Sequence, residues 1–82
     1  MADRLAWSQW LWNASRMKWL LFQRGRWIGR KDVVVGGSRG IGDDELLGIL
    51  RVRAAELRGT MLRGFWHGVR EMRPEWPAVE VT

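Results

Sequence analysis

Cysteine and tyrosine are absent from this chain, histidine occurs once and proline twice. Each shortage excludes something. Without Cys there is no disulfide to staple a small fold, and a chain of 82 residues buries only roughly 60–65% of the surface its unfolded form exposes. A monomeric core is therefore thin, and self-association or a partner is the expected support. A single His, His67, supplies one near-neutral base and no ligand set for a transition metal. It falls on a solvated helix position between Arg63 and Glu71, so no catalytic residue, cofactor or metal is expected. Apolar runs are short as well: Trp19-Leu20-Leu21-Phe22 is far below the roughly 18–20 residues of a membrane span. Nor does the start of the chain carry the basic, apolar and small-residue pattern of a secretory leader. These absences lead to the expectation of a soluble, cytoplasmic protein.

What is present is unevenly distributed. Residues 1–42 carry eight Lys/Arg against two Asp/Glu, a balance of +6, and residues 43–82 carry six against seven, a balance of −1. Five of the seven Trp (Trp7, Trp10, Trp12, Trp19 and Trp27) lie in the basic half. Arg and Trp together are the residues that dominate binding hot spots.

Asp3 suits a helix N-cap, and neither Pro nor Gly interrupts the chain before Gly25, so a first helix is expected over residues 4–23. Ala6, Trp7, Trp10, Leu11, Ala14, Met17 and Leu21 share its main apolar face. Leu5, Trp12 and Trp19 recur at intervals of seven beside Arg16 and form a second, narrower stripe that one packed helix cannot also cover. After Gly25, Arg26-Trp27-Ile28 and Val33-Val34-Val35 flank a turn-like Gly29-Arg30-Lys31-Asp32, which predicts a short β-hairpin or irregular segment over 26–35. A glycine-rich loop follows over 36–42. Asp43-Asp44-Glu45 then complement the N-terminus of a second helix over 44–73. Its apolar face holds Leu46, Leu47, Leu50, Ala54, Leu57, Met61, Phe65 and Met72, and Pro74 stops it. The stripe keeps its phase across Gly59, so a continuous or bent helix is expected, with Gly59-Thr60 as the place where it would split. Gly64 and Gly68, four apart near that face, suit close approach by another helix. Residues 74–82 form a tail.

Val33 to Gly42 resembles the cofactor fingerprint of the short-chain dehydrogenase/reductase family, in which a strand enters a glycine turn before a helix N-terminus. The resemblance covers ten residues. It would imply a bound dinucleotide, but Asp43, Asp44 and Glu45 place negative charge where the pyrophosphate would lie, and the family's catalytic tyrosine has no counterpart. The expectation is a structural glycine loop.

The sequence thus predicts one mostly α domain over 1–82: a Trp-rich first helix, a short hairpin or irregular segment, and a long amphipathic second helix packed antiparallel to the first. The expected function is that of a non-catalytic protein-binding module, an inhibitor or adaptor of the kind phages and mobile elements encode, with homodimerisation. Its binding residues are expected to be Leu5, Trp12, Arg16, Trp19, Arg24, Arg26, Trp27, Arg30 and Lys31. Nucleic acid is the alternative partner, through the basic cluster, and a membrane surface the second alternative.

Overall fold

A computed structural model describes residues 2–76, with side chains described for Gln9 and for residues 12–76. Three α-helices, α1 (Ala2–Ser38), α2 (Asp43–Ala54) and α3 (Gly59–Met72), make up almost all of it, and no strand occurs among the described residues. The hairpin expected over 26–35 is therefore corrected: these residues lie within α1, which runs unbroken through Gly25. The reason is visible in the spacing of Gly25, Gly29, Val33 and Gly36, whose steps of four, four and three trace one side of a helix. Each interior glycine costs about 1 kcal/mol of helix propensity. Packing offsets that cost, because this is the track on which the rest of the molecule sits, and the β preference of Ile28 and Val33–Val35 is too weak to compete.

Along the track, backbone meets backbone. A Cβ built on Gly25 would land on the carbonyl oxygen of Met61, and one on Gly29 on that of Phe65. From the other side, Gly64 abuts the Phe22 carbonyl and Gly68 that of Arg26. Two pairs of glycines spaced by four thus close against each other, the arrangement that allows the tightest helix approach. The residue order also fixes direction: higher numbers on α1 meet higher numbers on α3, so α3 runs parallel to α1.

This corrects the single antiparallel second helix. Residues 44–73 form two helices separated by a turn over Ala55–Arg58, with Gly59 at φ +56° where the chain reverses. Only α2 runs antiparallel to α1, placing Leu46 beside Gly36 and Arg53 beside Asp32. A straight helix over 44–73 would carry Phe65, Trp66 and Val69 away from the glycine track; the turn returns them to it. The core is accordingly Val33 of α1, Leu46, Leu50 and Ala54 of α2, and Phe65, Trp66 and Val69 of α3. Trp66 packs edge-on to Phe65, with ring centroids 5.1 Å apart.

The loop expected over 36–42 is shorter than predicted, since Gly36-Gly37-Ser38 close α1. Its end is a Schellman cap: the Ile41 N–H donates to the Gly36 carbonyl and the Gly40 N–H to the Gly37 carbonyl, each at 3.1 Å, with Gly40 at φ +70°. Ile41 packs against the core as the motif's apolar contact. Gly42 is extended and accepts from the Leu46 N–H at 2.8 Å, and Asp43, Asp44 and Glu45 occupy the first turn of α2. Of the tail, Pro74–Trp76 form a turn, and residues 77–82 lie outside the described range.

Ion pairs tie the three helices at their edges. Arg53 of α2 donates to Asp32 of α1 at 3.0 Å, and Arg73 after α3 lies 3.7 Å from Asp43. Arg26 of α1 grips both carboxylate oxygens of Glu71 on α3, one at 2.7 Å, with Arg30 at 3.4 Å and His67 at 3.3 Å from the same carboxylate. The hydrogen bonds from Arg26 hold the Glu71 carboxyl below the ordinary carboxylate range, against a smaller opposing effect of desolvation.

Two outcomes follow for stability. Gly29→Ala and Gly68→Ala should each destabilise by ~2 kcal/mol or more in urea unfolding, because the obstacle is a backbone carbonyl that cannot rotate away. Gly48→Ala in α2, where an added Cβ meets nothing within 4 Å, should stabilise by roughly 0.5–1 kcal/mol; Gly29→Ala and Gly68→Ala as well tolerated as Gly48→Ala would contradict the close approach. Acid should act through Glu71. A carboxyl whose folded pKa is depressed contributes fully above its ordinary pKa and loses that contribution as pH falls through the folded value. The melting temperature should thus hold from neutral pH down to the ordinary carboxylate range and decline below it. Glu71→Gln should lower the plateau and flatten that decline, and an unchanged acid profile in the variant would remove Glu71 from the account.

Candidate functional site

With α2 and α3 both on the glycine side, the opposite side of α1 is left uncovered. At 3.6 residues per turn, Trp12, Arg16, Trp19, Trp27, Arg30 and Val34 fall within an arc of about 80°, a third of a turn round from the glycine track. The expected Trp stripe and part of the expected basic cluster therefore adjoin: Arg30 lies within the arc, and Arg24 and Lys31 lie along its flank. They looked separate only because residues 26–35 were read as extended chain.

The side chains bear this out position by position. Trp12, Trp19 and Trp27 are 61%, 60% and 65% exposed. Trp12 to Trp27 spans about 22 Å of helix axis. The Arg16 guanidinium sits 5.4 Å from the centroid of the Trp12 ring, and that of Arg30 lies 5.6 Å from Trp27, so two indoles carry a cation over their faces. Arg24 and Lys31 are exposed on the flank of the same face. Arg26 is not free: it is turned to Glu71 and joins α1 to α3. Leu5 lies in α1, and its side chain is outside the described set.

The first-helix apolar face is only partly core. α3 reaches α1 from Phe22 onward. Of the earlier face residues whose side chains are described, Ala14 and Leu21 are half-buried and Met17 is 57% exposed. The first half of α1 thus projects as an arm beyond the packed body, consistent with a longest dimension of 59 Å against 24 and 21 Å for the others.

Beside Trp27 lies a groove of roughly 530 Å³. Ile28, Val34, Val35 and Met72 contribute its apolar lining, and Arg24, Arg30 and Lys31 its cationic part. Val34, Val35 and Met72 were not among the expected site residues. The signal for Val34 was present, since it follows Trp27 by seven, but the strand reading hid it. A smaller groove of about 350 Å³ between α1 and α2 mixes Val35, Ile49 and Val52 with Asp32, Arg53 and Glu56.

Among the described residues no polar or charged side chain is buried, and no three His, Asp or Glu come together as metal ligands. His67 is exposed, with Phe22 at 5.3 Å between ring centroids on one side and Glu71 on the other. Val33–Val35 are helical and Gly36–Gly40 form a helix C-cap, so the strand–turn–helix that the dehydrogenase-like fingerprint requires is not formed. No helix among the described residues is long and apolar enough to cross a membrane.

No family model, no curated protein and no solved structure matches this chain.

Proposed function

We propose that the chain is a small non-catalytic binding module, acting in the cytoplasm as an inhibitor or adaptor, whose working surface is the outer face of α1. One observation carries the reading: three indoles are exposed in a row along one helix, Trp27 turned from the glycine track and Trp12 and Trp19 on the arm ahead of the packed body. Each exposed Trp leaves a large apolar area in water, and nothing in the fold is gained by keeping it there. Trp contributes most where it becomes buried on association, typically 2 kcal/mol or more. Two of the three also hold a guanidinium over the ring, so that face selects a partner offering both negative charge and apolar surface. A protein with an acidic apolar groove fits that description, as does any extended anionic surface with an apolar layer.

The reading separates from a structural one by a pair of measurements on one variant. Trp12→Ala/Trp19→Ala should leave the melting temperature nearly unchanged, whereas Trp66→Ala in the core should cost ~3–5 kcal/mol. Affinity capture from cell extract, with protein, lipid and nucleic acid each analysed in the eluate, should recover a partner with the native chain and lose it with the double variant. A double variant that unfolds as readily as Trp66→Ala would assign the stripe to a buried interface and overturn the proposal.

A further inference from the structure

Resting on the outer face of α1 as the binding surface, we propose that its partner is the anionic surface of a lipid bilayer, on which α1 lies lengthwise with α2 and α3 turned away. Four observations converge on this. First, from Arg4 to Lys31 the chain holds seven cations, Arg4, Arg16, Lys18, Arg24, Arg26, Arg30 and Lys31, and no acid. Among the described residues Arg16 on this face and Arg24 and Lys31 on its flank have no carboxylate within ion-pair distance, so their charge is available to a partner. Second, the acids are held behind: Asp32 is turned to Arg53 of α2, Glu71 to α1's own arginines, and Asp43, Asp44, Glu45 and Glu56 belong to α2 and the turn after it. The molecule therefore presents a positive front and a mixed-charge back.

Third, the apolar part of the front is linear and lies along a helix axis. A protein hot spot gathers its aromatics at the centre of a compact patch, whereas Trp12, Trp19 and Trp27 are strung over about 22 Å at nearly one height. That is the layout of a helix in an interface plane, where indole rings settle at headgroup level and flanking Arg and Lys reach the phosphates. Fourth, the groove beside Trp27 joins an apolar floor of Ile28, Val34, Val35 and Met72 to the cations Arg24 and Lys31, a shape suited to an acyl chain below an anionic head. Nucleic acid would use the cations but gives no role to Val34, Val35 and Met72. A second copy is a poorer occupant of this face, because two such faces would bring cations against cations.

The test is co-sedimentation of the purified full chain with vesicles of phosphatidylcholine alone and of phosphatidylcholine mixed with phosphatidylglycerol, alongside mixed-sequence DNA and RNA. The expected result is binding to the anionic vesicles with a blue shift of Trp emission, roughly 100-fold weaker partitioning onto phosphatidylcholine, and weakening as salt rises. Arg24→Glu/Lys31→Glu should lower anionic-vesicle partitioning by about tenfold or more without moving the melting temperature. Trp12→Ala/Trp19→Ala/Trp27→Ala should abolish it. Folded protein that ignores anionic vesicles overturns the lipid assignment. If it then binds nucleic acid tightly, or captures a protein, and loses that partner with the Trp variants, the α1 face remains the binding surface. If it binds none of these, the proposed function falls with it.

Discussion

Where Gly25 and Gly29 of α1 meet Gly64 and Gly68 of α3, two backbones touch with no side chain between them, and the rest of the architecture follows from that contact. It sets α3 parallel to α1, which requires the chain to turn back through α2 and again at Ala55–Gly59. It brings Phe65 and Val69 to full burial and lets Arg26 reach Glu71. It also decides what stays outside. A helix can bury only one side against a single close neighbour, so committing the glycine track to α3 leaves Trp27 facing water, while Trp12 and Trp19 stay exposed on the arm that precedes the contact.

Much of this was legible in the sequence, and the failures have one source. The helical first segment, the acidic first turn of α2, the apolar positions Leu46, Leu50, Ala54 and Phe65, and the close-approach role of Gly64 and Gly68 are all readable from spacing, and all stand in the structure. Taken singly, Gly25 reads as a helix end and Gly29 as part of a turn. Glycine does end helices when it takes a left-handed conformation, as Gly40 does. The same residue type serves the opposite purpose when another helix must approach, and only the partner's pattern distinguishes the two. Gly64 and Gly68 were that partner, yet pairing them with Gly25 and Gly29 required knowing that residues 26–35 were helical. The long second helix failed for a related reason: a stripe that keeps its phase across Gly59 is also what two helices give when both face one core.

For the interaction face, residue identity was readable but geometry was not. Trp12, Arg16, Trp19, Arg24, Trp27, Arg30 and Lys31 share α1, and continuous helix turns two separate clusters into a single surface with a groove at its C-terminal end. Arg26 looked equivalent to its basic neighbours and is not, because a difference of one position turns it from the free face to Glu71. A basic, Trp-bearing face on a helix that is stiffened from behind is preorganised, so less ordering is required when a partner arrives.

Everything above depends on α1 being one straight helix through Gly25 and Gly29. The absence of Cys makes this directly measurable: Asn13→Cys/Lys31→Cys, both exposed positions, can be spin-labelled without background. The two sites are eighteen residues apart on one side of the helix, an axial separation of about 27 Å. Pulsed electron–electron distance measurement should give a single narrow distribution near that value once the label tethers are included. A broad distribution, or one centred well below it, would mean that the helix breaks at Gly25 and that the front face does not exist as one surface.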